Sequence, residues 1–214
     1  MLTINSLRFD TTGWQKSDQT PELIRWQSGA PELLSLHFFE RAPDIGVALE
    51  QDALRQFYRE AVASLGGAIV SVDTCYISNL LCFKNIIKLP QPERGMTYVG
   101  SITIPFLDRS YVIKIQCAEI GVTGERDATI LQRLFDEGAV QLNEETQQLD
   151  GWFSDPYDKS FLAPVLRNRS DDEKYDAEFP GHPLSRTRLV LNSVSVSLEI
   201  DPELLTYPAF KSHT

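Results

Sequence analysis

Cysteine, histidine and methionine are all scarce in this 214-residue chain, which holds three, three and two of them. Cys75, Cys82 and Cys117 do not make a disulfide framework. His37, His182 and His213 include no pair at the close helical spacing of a zinc protease. Long apolar runs are missing too. The most apolar stretches, residues 77–89 and 112–118, are broken by Asn79, Lys84, Lys88, Lys114 and Gln116, far short of the roughly 20 residues that span a bilayer. The first ten residues lack a basic segment followed by an apolar core and a cleavage site, so no secretory signal is expected. Basic charge is in deficit, with 20 Lys and Arg against 30 Asp and Glu and a net charge of -10. That balance argues against unspecific capture of nucleic acid or anionic lipid. The expectation is a cytoplasmic protein that binds neither nucleic acid nor membrane.

What is present is ordinary globular material: 42% apolar and 23% charged residues. A chain of this length buries roughly 70% of its unfolded surface and needs no staple. Its length fits one large domain, or one domain with a sizeable extension.

Residues 2–9 alternate apolar and polar side chains, which predicts a short half-buried strand closed by Gly13. Residues 23–26 and 33–39 read as a hairpin joined by Ser28-Gly29-Ala30-Pro31, with His37 in its second strand. A helix is predicted over residues 47–65, where Leu54, Phe57, Tyr58, Ala61, Val62 and Leu65 recur at steps of three and four. Asp44, Glu50 and Asp52 lie toward its start, and Gly66-Gly67 stops it. The period then changes to two. Strands are predicted at 68–77, 80–89, 96–104 and 111–119, with Ser78-Asn79 as a tight turn. Tyr111, Ile113, Ile115 and Cys117 line one face, whereas Val112, Lys114, Gln116 and Ala118 form a partly wet one. Connections this short leave no room for crossover helices, so the strands read as an antiparallel meander. A second helix follows Gly121-Val122-Thr123-Gly124, with Ile130, Leu131, Leu134 and Phe135 as its stripe and Gly138 as its end. Thr123, Glu125 and Asp127 supply capping or charge at its start. The fold class is therefore α+β, an antiparallel sheet with covering helices, two of which would share one face. Beyond Gly138 the pattern weakens until Pro183. There Leu184, Arg188, Leu191, Val194 or Ser195, and Leu198 fit a helix, while Val194, Val196, Leu198 and Ile200 fit a strand. Pro183 favours the helix.

This order of elements, over residues 1–137, resembles the Mog1/PsbP-like α/β/α sandwich. Two later segments, Gly151-Trp152-Phe153-Ser154-Asp155-Pro156-Tyr157-Asp158 and the run from Asp172 through Phe179-Pro180-Gly181-His182 to Arg186, resemble parts of bacterial proteins that extend this kind of domain. The resemblance implies a core of residues 1–138 and an acidic, loop-rich extension of residues 139–214 whose last helix packs on the core. Related folds include small-GTPase-binding, photosystem-associated and secretion-chaperone-like proteins. It therefore implies action through contacts rather than chemistry.

Four constellations invite a chemical reading, each with a plainer one beside it. Cys75 and Cys82 sit seven apart across a turn, where they face each other either as small buried hydrophobes or as a metal or redox pair; without Cys-x-x-Cys spacing the first is simpler. Ser185 lies near His182 and Asp176, but no Gly-x-Ser-x-Gly elbow accompanies it, and a turn launching the last helix accounts for the cluster. Gly121-Val122-Thr123-Gly124-Glu125-Arg126 lacks the Walker spacing and reads as a cap. The stretch 143–183 holds ten acidic residues against four basic ones. Asp155, Asp158, Asp171, Asp172, Glu173, Asp176 and Glu178 would supply oxygen ligands for calcium if some converged, yet the spacing is not that of an EF-hand. Arg167, Arg169 and Lys174 stand ready to neutralise several of them. Asn168-Arg169-Ser170 matches a glycosylation triplet and reads as a loop.

Aromatics interleave with these charges: Trp152, Phe153, Tyr157, Phe161, Tyr175 and Phe179. They suit either anchoring of the extension or hot spots for a partner. Arg186 and Arg188 are expected to pair with Asp176 or Glu178. No catalytic, cofactor-binding or metal residue is singled out, and no cofactor is expected. The candidate interaction surface is Trp152, Phe153, Asp155, Tyr157, Asp158, Tyr175, Asp176, Phe179, His182 and Arg186. The sequence thus points to a non-enzymatic interaction, adaptor or chaperone-like protein with a protein partner, itself a monomer or small homo-oligomer. A hydrolase or metal-dependent enzyme assembled around residues 150–188, and a structural subunit of a larger assembly, are the alternatives.

Overall fold

Strict alternation over residues 68–118 folds as period-two patterning dictates, into long antiparallel strands. The computed structural model describes residues 2–29, 31–45 and 50–211. In chain order its elements are β1 (Leu7–Arg8), β2 (Gln15–Gln19), β3 (Leu23–Gln27), β4 (Glu32–Phe39), α1 (Gln51–Ser64), β5 (Ala68–Ile77), β6 (Leu80–Pro90), β7 (Met96–Pro105) and β8 (Ser110–Ala118). Then come α2 (Glu125–Asp136), β9 (Gln141–Leu142), β10 (Leu149–Asp150), α3 (Pro183–Ser197), β11 (Glu199–Ile200) and α4 (Pro202–Leu205). Seven strands form one antiparallel sheet in the order β2-β3-β4-β8-β7-β6-β5. The fold is α+β.

The β5–β6 turn is the tight hairpin that the right-handed twist of strands favours. Ser78 and Asn79 take φ of 50° and 66°, both left-handed. That turn fixes the register, Ile77 opposite Leu80 and Cys75 opposite Cys82.

One sheet face is closed by α3. Ile86 on β6, Ile102 on β7, Ile113 and Ile115 on β8, and Leu34 and Leu36 on β4 pack with Leu184, Leu191 and Val194. Gly100 permits the close approach: a Cβ there would lie 2.6 Å from Leu191 Cδ1 and 2.7 Å from Thr187 Cγ2. Pro183 opens α3 at its first turn, and the His182 Nδ1 accepts the Leu184 amide at 3.2 Å. On the opposite face α1 sets Leu54, Tyr58 and Val62 against Ile69, Val72 and Phe83. Gly66, at φ 75°, stops the helix.

Several expectations need correction. Residues 2–9 are not one strand. Thr3 and Ser6 form a reciprocal cap on a 3-10 turn, Ile4–Ser6, and only Leu7–Arg8 pairs, with Glu199–Ile200. Strand β2 carries no apolar signature in the sequence, because Gln15–Gln19 is polar and wholly exposed. Residues 47–49 of the first expected helix lie outside the described residues. Of its expected stripe, Phe57 and Leu65 are exposed, so the buried line is narrower. The two early helices do not share a face: α2 lays Ile130 and Leu134 against Val140, Trp152 and Tyr175 rather than on the sheet. Its N-cap is Gly124, which makes no side-chain cap bond. The last segment resolves into both competing readings in turn, helix to Ser197 and then strand.

Candidate functional site

The extension is fastened to the sheet by buried polar groups. Asn168 caps the 3-10 turn Arg169–Asp171 through a reciprocal box, accepting the Ser170 amide at 2.9 Å while Asp171 accepts the Asn168 amide at 3.0 Å. Asp171 is thereby aimed at the sheet. Its carboxylate meets Lys88 Nζ at 2.6 Å, and the Tyr98 hydroxyl donates to its other oxygen at 3.4 Å. Lys88 is 2% exposed and Asp171 0%. Burial, and then the negative charge of Asp171, holds the Tyr98 phenol well above its ordinary range.

Arg126 of α2, 1% exposed, is a second hub. It donates to the Ser170 and Asp172 carbonyls at 2.8 and 3.0 Å, to Asp176 at 3.0 Å and to the Ser185 hydroxyl at 2.8 Å. Arg188 completes the set with Asp176 at 2.8 Å and the Asp171 carbonyl at 2.6 Å. Asp127 accepts from Ser170 Oγ and from the Asn168 side-chain amide. Taking charges out of water is tolerated only where each is paired and hydrogen-bonded, and these are.

The expected surface residues divide clearly. Trp152 and Tyr175 are buried with α2, and Phe179 packs beside them. Asp155 is buried against Arg59 at 3.1 Å and accepts the Tyr157 and Asp158 amides at 2.9 Å. Tyr157 reaches the outer edge of β5, where its hydroxyl accepts the Val72 amide at 2.7 Å and donates to the Val72 carbonyl at 3.1 Å. Gln51 serves the same edge, accepting the Thr74 amide at 3.0 Å. Arg55 lies over the Tyr157 ring at 3.9 Å. Asp176 sits among Arg126, Arg188 and Ser185. Arg186 turns to Glu32 at 2.8 Å instead of to Asp176 or Glu178, and Glu178 pairs with Arg133 at 2.7 Å. The bidentate Arg186 pair lowers the Glu32 carboxyl below its usual range. Phe153 stays 53% exposed, and Asp158 is half-exposed beside Arg59.

The chemical constellations do not converge. His182 Nε2 lies 3.5 Å from Glu119 and its ring packs on Tyr98, while Ser185 is held by Arg126 and Asp176. Burial is the largest influence on the Glu119 carboxyl, yet hydrogen bonds from His182, Gly124 and Met96 leave it below its ordinary range. The start of α2 is already served by that carboxylate, since the Gly124 amide donates to Glu119 at 3.1 Å. Among the described residues no group of three or more His, Cys, Asp or Glu is placed to hold a metal ion. Asn168 is buried in the polar network rather than in a surface loop.

A different surface is open. On the face that α1 covers over β5 and β6, Tyr58 reaches about as far as Thr103, and among the described residues no helix packs on β3 or β4 beyond it. The positions there are Leu23 and Arg25 on β3, Leu33, Ser35, His37 and Phe39 on β4, Val112, Lys114 and Gln116 on β8, and Thr97 and Val99 on β7. Most are half-buried, and Arg25 and Gln116 are exposed. The carboxylates nearby stand at the borders: Asp18 of β2 approaches Arg25 at 3.8 Å, and Asp44 lines the depression beside Phe39 and Val112. The His37 imidazole contacts Ser35 Oγ at 3.0 Å. Burial first, then the positive charges of Lys114 and Arg25, drive its pKa down to about 4. Of this face the sequence showed only the wet side of β8.

No family model matches the chain, and no curated protein matches it. Among solved structures it is similar to the Ran-binding protein Mog1p of Saccharomyces cerevisiae, at 10% identity over 90% of this chain and 88% of that one, with a TM-score of 0.45. It is also similar to the cyanobacterial PsbP protein CyanoP of Synechocystis sp. PCC 6803, at 11% identity over 62% of this chain and 88% of that one, with a TM-score of 0.37. A likeness of this degree carries no argument about activity or partner.

Proposed function

We propose that this chain is a protein-interaction module of the adaptor or chaperone-like kind. It holds a partner segment that carries carboxylates among apolar residues on the open half of its sheet. The observation that supports this reading is the face of β3, β4 and β8: apolar side chains beside Arg25 and Lys114, with carboxylates only at its borders, Asp18 beside Arg25 and Asp44 beside Phe39, on a chain of net charge -10. An arriving anion gains from Arg25 and Lys114, and apolar neighbours gain from covering Leu33, Phe39 and Val112. Most of the aromatic and charged residues of the extension are spent on contacts within the chain, so the sheet face is the better place for a partner.

A peptide-display selection on the immobilised protein tests this. Enriched peptides are expected to carry Asp or Glu between apolar residues. Joint Arg25→Glu and Lys114→Glu replacement is expected to weaken them at least about tenfold while the melting temperature holds. Peptides without acidic residues, or binding indifferent to the charge reversal, would overturn the reading.

A further inference from the structure

The β5–β6 hairpin brings together two thiols that nothing so far has used. Cys75 and Cys82 are direct cross-strand partners. Residues opposed in antiparallel strands point to the same side, with Cα atoms about 4.5–5.5 Å apart, inside the 4.4–6.8 Å that a disulfide spans. The two differ in access. Cys82 is fully buried and its thiol donates to the Leu80 carbonyl at 3.4 Å. Cys75 is half-buried and lines an open depression of about 430 Å³ between the hairpin tip and the end of α3, together with Tyr76, Lys84, Ser195 and Val196. Val196 is 89% and Tyr76 73% exposed, so a ligand reaches Cys75 across apolar ground.

We propose that Cys75 and Cys82 form a thiol–disulfide exchange pair, with Cys75 attacking an external disulfide and Cys82 resolving the product. In the first step the Cys75 thiolate forms a bond to one sulfur of the external disulfide, and the other sulfur leaves as a thiolate. In the second, Cys82 attacks Cys75 Sγ, the mixed disulfide breaks, and the departing thiolate takes up the proton that Cys82 gives up. The external disulfide is reduced to two thiols and the cysteine pair is oxidised to one cross-strand disulfide.

The surroundings assign the roles. The neighbouring Cys82 thiol, with the Lys84 ammonium adding to it and burial and Asp73 opposing, lowers the Cys75 thiol below its ordinary range. The same contact and burial drive the Cys82 thiol up. Lys84 is held in place by Asn192 of α3 at 2.8 Å. A half-buried thiol of lowered pKa at an open depression is suited to attack, and the fully buried thiol beside it reacts only once a sulfur is delivered to it. The third thiol, Cys117, is buried under the start of α3 beside Thr187, away from the pair, with its pKa pushed up to about 11 by burial.

The test uses oxidised glutathione and the intact protein. In a Cys117→Ala background, exposure followed by acid quenching and intact-mass measurement is expected to show loss of two hydrogens with no glutathione retained. Cys82→Ala is expected to keep one glutathione, on Cys75, and Cys75→Ala to stay unmodified while circular dichroism reports a native fold. Without any variant, alkylation of the unmodified protein is expected to be fastest at Cys75, with its half-maximal rate at a lower pH than that of an ordinary cysteine. A wild-type pair that carries two separate glutathiones, a Cys82→Ala protein that captures none, or labelling of Cys75 only after denaturation would overturn the proposal.

Discussion

Helix α3 and the 168–172 turn dock on the same side of the sheet, yet by opposite means. Under the middle of α3 the contact is apolar, with Gly100 leaving room for Leu191, and the charged contacts of Arg186 with Glu32 and of Lys84 with Asn192 lie at its margins. One register step away, Lys88 opposite Tyr98 receives Asp171 in a contact that is almost wholly polar. Apolar packing tolerates small displacements at a cost graded by volume, whereas buried charge tolerates none unless every partner moves with it. The first surface therefore supplies stability, and the second fixes where the turn sits. The polar contact is the more brittle of the two.

Breaking each contact in turn should expose that difference. The largest effect is expected from Asp171→Ala, which strands the Lys88 ammonium in the interior at a cost of about 3–5 kcal/mol. Joint replacement by Lys88→Met and Asp171→Leu should recover much of it, as chemical denaturation would show. A double variant as unstable as the single one would mean that the turn needs the charges themselves. Leu191→Ala comes next, at about 2–5 kcal/mol depending on how far α3 settles into the gap. Its cost should be the same at low and high salt, and a strong salt dependence would put the two contacts in one class.

The smallest effect sharpens the comparison with the open face. His37 has its pKa lowered from 6.5 to about 4, so the unfolded chain takes up the proton first as pH falls. The stability tied to its neutral form is whole above pH 6.5 and is lost between about 6.5 and 4. Because the ring is only half-buried, solvent screening reduces the loss to roughly 1 kcal/mol. Thermal melts of wild type and His37→Gln across that window should converge at the acid end, and parallel curves would refute the assignment.

The central sheet was legible because its information is local. Alternation in residues 68–118, Ser78-Asn79, and the glycines after α1 and α2 encode the meander and its stops within a few positions. The polar dock was not, because Lys88 and Asp171 are 83 positions apart and each alone reads as a surface charge. A partial signal existed in Asn168 and Asp171, whose spacing is that of a capping box. Strand β2 hid because an exposed edge needs no apolar residue. The open face was half visible: Lys114 and Gln116 marked β8 as wet, but only the sheet order brings Arg25 and His37 alongside.

The seal on β5 bears on how copies of this chain can meet. Tyr157 and Gln51 occupy the outward amides of Val72 and Thr74, so an incoming strand finds its ladder positions taken. A sheet propagates into a fibre only if both its borders accept neighbours. With one border stoppered from within, strand-to-strand growth through β2 ends at two chains. The tyrosine that ties down the extension therefore also closes that border to strand addition.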